Sequence, residues 1–191
     1  VQAFSLPSPG ILDIGLYPGG PDTLADTLAE ALADAFRSGS FHAEARPDIM
    51  RWKYTKLLMN LGNAVEALCG PSGRMGELFR RARDEGTSAL DAAGIDYVSD
   101  EDFKARRGDL IAPRPIADAR RPGGSSWQSL ERGTGHIEAD YLNGEIVLLG
   151  RLHGVPTPVN DVLRRAANDA ARRRLPPGSA SADELLSAAG S

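Results

Sequence analysis

The sequence predicts a mostly α-helical chain: a multi-helical C-terminal domain preceded by a partial α/β fragment. Three observations carry this. Residues 1–46 read as strand, helix and strand; from Pro47 onward apolar residues recur at helical spacing; and segments rich in Pro and Gly punctuate the helices rather than a run of strands. The expected division is residues 1–46 as the α/β remnant, 47–176 as the helical domain, and 177–191 as a linker with a short terminal helix.

"ILDIGLYPGG" (11–20) has a short apolar run ending in Pro and Gly, as a buried strand does. "DTLADTLAEALADAFRS" (22–38) is rich in Ala and Leu at helical spacing, and Asp22 can cap its start. "SFHAEA" (40–45) reads as a second strand. Such a piece cannot cover both faces of its own sheet, so it is expected to be the end of something larger. The absence of an initial Met, with strand-like residues almost at once, gives the same expectation of a chain entered partway through a domain.

Pro47 suits the first turn of the next helix, which runs through "RWKYTKLLMNLGNAVEAL" (51–68). Further helices are expected over Gly73–Ala93 with Gly94 at its C-terminal end, after the N-cap Ser99, over Ile137–His153, over about 159–174, and over Ala182–Ala188. "APRPIADARRPGGSS" (112–126) reads as irregular, and the tail as a loosely docked terminus.

Composition removes several classes of function. Net charge is −4, which gives no overall attraction to nucleic acid or anionic membrane. The clusters RRAR (80–83) and RRR (172–174) fall in helical patterns beside acids and read as solvated faces. A helical nucleic-acid binder is further disfavoured by the lack of an aromatic-and-basic stripe. No apolar run reaches membrane-spanning length, and no signal-peptide pattern opens the chain. One cysteine, Cys69, excludes an intrachain disulfide and fits a reducing, cytoplasmic setting. His42, His136 and His153 are too scattered for a zinc pattern, so no metal is expected.

The chemistry-bearing residues fall in two places. On a helix, positions four and seven after Lys56 lie within roughly 40° of it, so Lys56, Asn60 and Asn63 share one stripe. Leu57, Leu58, Leu61, Val65 and Leu68 occupy other parts of the circumference as packing residues. A lysine partly desolvated in a cleft can protonate a developing alkoxide, and amides can hold a carbonyl, carboxylate or hydroxyl without adding charge. Equally, a lysine can snorkel and an asparagine can bridge backbone groups. The second place is "SSWQSLERGTGHIEADYLNGEIVLLGRLHGVPTPVN" (125–160). Ser126 stands where it can present its hydroxyl to a carboxylate or simply cap a helix. Glu138 lies in a first turn, suited to the helix dipole or to a surface ion pair.

A dinucleotide fingerprint needs strand, glycines and helix together. Gly133-Thr134-Gly135 has Glu138 in place of the third glycine and no strand before it, and "GLYPGG" has the wrong spacing. The chain contains no such loop.

Taken together, Lys-x-x-x-Asn on one helix, a Ser-Ser pair some seventy residues on, then Glu-x-Asp-x-Leu-Asn-Gly and Gly-Val-x-Thr-Pro-x-Asn resemble the C-terminal helical domain of ketopantoate (2-dehydropantoate 2-) reductases. The resemblance covers nearly the whole chain, residues 1–46 resembling the end of that family's Rossmann-like nucleotide-binding domain. It implies NADPH-dependent reduction of a 2-oxoacid such as 2-dehydropantoate, with most of the NADP site upstream of Val1 and little activity in this chain alone. It implies Lys56 as the proton donor, Asn60 as a substrate-binding amide, Ser126 on the substrate carboxylate, and Glu138 near the lysine and the cofactor ribose. Asn63 is the neighbour of Ala64, where the family commonly has its second asparagine; Gly123 stands where it often has another; and "HIEAD" replaces Thr-Glu-Ile-Asp. A homodimer is allowed but not specified. The alternative is a non-catalytic helical module for dimerisation or ligand binding, derived from the same family.

Overall fold

The computed structural model describes residues 5–19, 22–113 and 123–190. The chain divides into two compact units, residues 1–55 with 97–121, and residues 56–96 with 122–191.

The first unit holds the α/β fragment. Strand β1 (Ser5–Pro7) is followed by β2 (Ile11–Ile14), helix α1 (Thr23–Ser38) and β3 (His42–Ala45). β2 and β3 pair in parallel, Ile11 opposite His42 and Ile14 opposite Ala45, with α1 as the crossover. Asp22 caps α1 as expected, its carboxylate accepting from the backbone N–H groups of Leu24 and Ala25 at 3.0 Å each. Gly15 follows β2 because nothing larger fits: a Cβ there would stand 2.1 Å from the Arg46 carbonyl oxygen. Helix α2 (Ile49–Asn60) begins two residues after Pro47, which therefore precedes its first turn.

Residues 97–113 join this unit through contacts that sequence periodicity does not reveal. The Thr55 hydroxyl donates to the Val98 carbonyl at 2.8 Å and accepts from the Val98 N–H at 2.9 Å. Trp52 packs on Phe103 of helix α5 (Asp100–Arg107), with Arg46 3.9 Å above the Trp52 ring. Asp13 at the centre of β2 binds Arg46 at 3.0 Å and Arg106 at 2.7 Å. Strand β4 (Ile111–Pro113) then pairs antiparallel with β1. In the division into compact units, α5 and β4 fall with the α/β piece. Most of the expected irregular segment 112–126 lies outside the described residues.

The second unit is helical. The expected continuous helix from Arg51 to Leu68 is interrupted at Leu61, giving α2 and α3 (Gly62–Cys69). Leu61 keeps helical dihedrals and its N–H still bonds Leu57, but its carbonyl receives the side-chain N–H of Asn143 at 3.5 Å. A side chain inserted at the hydrogen-bond ladder accounts for the break. α3 is buried all round, and Leu58, Leu61, Val65 and Leu68 sit in the interior as expected. It packs against a 3-10 turn (Pro71–Met75), against α6 (Ser125–Glu131) and against α8 (Pro158–Arg172). α4 (Glu77–Ala92) starts after Gly76, later than expected. The expected helix over Ile137–His153 is two pieces, a 3-10 turn (Glu138–Asp140) and α7 (Asn143–His153). Asn143 is fully buried to reach α2–α3 and α8, which the apolar spacing of the segment does not disclose.

Helix α9 (Ala182–Ala189) packs on α8. The segment before it is tied down rather than loose: Gly178 N–H donates to the Ala67 carbonyl and Ala180 N–H to that of Leu68, both at 2.9 Å. Both arginine clusters lie on solvated helix faces, Arg80 pairing with Glu77 and Asp84, and Arg173 with Asp169.

Candidate functional site

Polar side chains of α4, α7 and α8 form a hydrogen-bonded network in the helical unit. The Glu85 carboxylate of α4 accepts from the Val159 N–H at 2.9 Å, the Asn160 N–H at 3.0 Å and the Asn160 side-chain amide at 2.8 Å. Asn160 also donates to the Ala82 carbonyl at 2.8 Å, and its amide oxygen accepts from Asn143 at 3.0 Å. α8 has no side-chain cap of its own at Thr157, so a carboxylate from another helix caps it. Asn143 and Asn160 lie in the two stretches on which the resemblance most depends, and here they join α4, α7, α8 and the α2–α3 break.

The residues expected to carry chemistry lie outside this network. Lys56 is exposed on α2. Asn60, the last residue of α2, is half-buried. Asn63 is buried on α3, beyond the Leu61 break. Ser126 is buried in the first turn of α6, where Gly124 rather than Ser126 holds the cap position. Glu138 opens its 3-10 turn and is exposed. Among the described residues, the side chains of Lys56, Asn60, Ser126 and Glu138 make no hydrogen bond or ion pair, so Lys56 and Glu138 do not pair with each other.

The geometry brings Asn63 to the start of α6, where its Oδ1 lies 3.8 Å from the point a Cβ on Gly124 would occupy. Glu66, one turn along α3, is buried in the same place; its carboxylate accepts from the Gly124 N–H at 3.3 Å. Sequence reading passed over Glu66. The available signal was a carboxylate inside "NAVEAL", a run otherwise fit for burial.

The departures at Gly123 and Ala64 have local causes. Gly123 has φ of +154°, and a Cβ there would lie 2.5 Å from Cγ of Trp127, so an asparagine cannot enter without displacing the indole. Ala64 faces the apolar core with Val65, Leu68 and Leu163.

The start of α1 disfavours a phosphate. After β2, the Asp22 carboxylate takes the first N–H groups of α1 and would repel an anion. Among the described residues no cluster of three or more His, Cys, Asp or Glu could hold a metal ion, and no helix is long and apolar enough to cross a membrane.

The fold is shared with oxidoreductases. A PanE/ApbA family ketopantoate reductase from Ralstonia eutropha JMP134 aligns at a TM-score of 0.62 and 26% identity, over 86% of this chain and 52% of that one. A ketopantoate reductase from Staphylococcus aureus, described as dimeric with kinetic cooperativity, aligns at 0.57 and 17% identity, over 85% and 55%. D-mandelate dehydrogenase, in a ternary structure with NADH and anilino(oxo)acetate, aligns at 0.55 and 18%, over 86% and 88%. The chain spans about half the length of the two ketopantoate reductases. No protein of curated function matches it. The model of the ketopantoate reductase PanE/ApbA C-terminal family matches residues 48–170, and the chain belongs to that family.

Proposed function

We propose that this chain forms the substrate-binding and catalytic helical part of an NADPH-dependent 2-oxoacid reductase, acting in the cytoplasm on 2-dehydropantoate or a close analogue. The observation that carries the reading is the contrast between the two sets of polar groups. Glu85 and Asn160 are engaged in holding the fold, while the side chains of Lys56 and Asn60 make no hydrogen bond among the described residues. Helix α3, which carries Asn63, packs on α6, which carries Ser126, and such an arrangement suits a small polar ligand held by both helices.

In this reading Ser126 donates to the substrate carboxylate, and Asn60 and Asn63 bind its carbonyl or hydroxyl oxygens. Lys56 gives a proton to the alkoxide formed as the ketone is reduced, and the hydride comes from the nicotinamide. Glu138 is assigned to the same site, near the lysine and the cofactor ribose. The described residues hold no phosphate loop, so the 191-residue chain alone is expected to bind NADPH weakly and to turn over little.

The test is NADPH consumption with a panel of 2-oxoacids, by a protein that joins this chain to a nucleotide-binding half. Lys56→Ala is expected to lower kcat by at least about a hundredfold, the scale of general-acid catalysis, while leaving NADPH affinity within about twofold. Near-normal turnover without Lys56 would reject the mechanism.

A further inference from the structure

Two consecutive glycines precede the body of α6, and such a pair has little conformational preference of its own. Gly123 stands at φ +154°, and Gly124 takes the N-cap position with no side chain to close the first turn. The direction of α6, and with it the place of Ser126, therefore depends on contacts made to this joint. Two of them come from α6 itself. The Trp127 side chain lies against Gly123, and the Gln128 side-chain amide donates to the Gly123 carbonyl at 3.1 Å. Both move with α6. Another comes from a different helix: the Glu66 carboxylate of α3 accepts from the Gly124 N–H at 3.3 Å.

That bond takes the part a glutamate at the third helical position plays in a capping box, reaching back to the N-cap N–H. In α6 the third position is Trp127, whose indole N–H can only donate, so the acceptor arrives from α3. Glu66 is only 8% exposed, between the fully buried Val65 and Ala67. Packing alone would be served better there by an apolar side chain, because a carboxylate is costly to bury. The missing side chain at Gly124 is what lets the two helices approach. A Cβ there would stand 3.0 Å from Glu66 Oε2 and 3.8 Å from Asn63 Oδ1.

We propose that Glu66 is a positioning residue: by holding the Gly124 N–H it fixes the start of α6 on α3, and so sets the Ser126 hydroxyl relative to Asn63. The role rests on the assignment of Ser126 and Asn63 to the substrate. Glu66 acts through Ser126 and takes no part in proton transfer.

Two measurements test this. Hydrogen exchange of the 191-residue chain reads the joint alone. Glu66→Leu, similar in bulk but without an acceptor, should speed exchange of the α6 amides at least about tenfold and leave those of α7 unchanged. Kinetics with 2-dehydropantoate and NADPH, in the protein that joins this chain to a nucleotide-binding half, read the consequence. Glu66→Leu should raise KM for the oxoacid at least about tenfold, the scale of one hydrogen bond to a charged group, with kcat within about threefold. General loosening of the fold would instead lower kcat by shrinking the active fraction and leave KM alone. Glu66→Gln keeps an oxygen that can accept from Gly124 and should recover most of the lost affinity. In a Ser126→Ala background Glu66→Leu should add less than about twofold, since both remove the same interaction. If Glu66→Leu does not fold, Glu66→Met, flexible and close in volume, carries the same test. Unchanged α6 exchange, an unchanged KM in Glu66→Leu, or full additivity with Ser126→Ala overturns the proposal and leaves the substrate assignment standing. An unmoved KM in Ser126→Ala overturns both.

Discussion

Replacing Glu85 by alanine removes the carboxylate that caps α8 from α4. Three hydrogen bonds end on it, from Val159 N–H, Asn160 N–H and the Asn160 amide, at 2.8 to 3.0 Å. A hydrogen bond to a charged group contributes about 1.5–3 kcal/mol net, and loss of a helix cap typically about 1 kcal/mol. The three bonds share one acceptor and are not additive, and water can reach the half-buried site, so the expected loss is about 3 kcal/mol. That is a large share of the roughly 5–15 kcal/mol stability of an ordinary domain. With a urea dependence of about 2 kcal/mol per molar, the far-UV transition should move down by about 1.5 M. Glu85→Gln keeps an oxygen acceptor and the shape, losing mainly the charge at the helix start, and should cost about 1 kcal/mol. A Glu85→Ala chain within about 1 kcal/mol of wild type would show that α8 is not held this way.

The remaining predictions concern other parts of the fold. Asp13→Asn leaves Arg46 and Arg106 with only the half-exposed Glu44 as a shared counter-ion, and should lower the stability of the α/β unit by about 2 kcal/mol; hydrogen exchange of β2 and β3 amides reports it. Gly123→Asn, which installs the asparagine often found there in the family, should displace Trp127, shift its fluorescence in a Trp52→Phe background, and cost about 2 kcal/mol. Unchanged emission would refute the clash. Burial pushes the Cys69 thiol pKa up, so at any pH below it a smaller fraction is thiolate than in a free cysteine. Alkylation by iodoacetamide at pH 8 should accordingly run several-fold slower than for a small thiol, and catch up only as pH rises further. Equal rates at pH 8 would contradict the burial.

Local signals were readable where the sequence itself supplies the partner. Asp22 caps α1 through N–H groups two and three residues away, and the strands at Ile11–Ile14 and His42–Ala45 stand where their short apolar or alternating runs place them. What could not be read depends on distant residues. The break at Leu61 falls inside a run of good helix formers and is made by Asn143, eighty-two positions away. The β1–β4 pairing joins segments more than a hundred residues apart. The site divides in the same way. Spacing grouped Lys56 with Asn60, but it projected Asn63 onto the same uninterrupted helix, and it could not show that Glu66 would arrive beside Gly124. The structural roles of Asn143 and Asn160 were hidden too, because their partners, the Leu61 carbonyl and Glu85, are invisible from the chain order.

The two hydrogen bonds from Gly178 and Ala180 to the last turn of α3 bear on where the polypeptide can be cut. They occupy the carbonyls of Ala67 and Leu68, on the helix that lines the Asn63–Ser126 region from beneath. Clipping the polypeptide after Arg174, as a protease or a conservative expression boundary would, strips those carbonyls bare and uncovers apolar side chains of α8. The C-terminal segment from Leu175 to Gly190 therefore acts as a plug for the helical unit, and any shortened version should retain it.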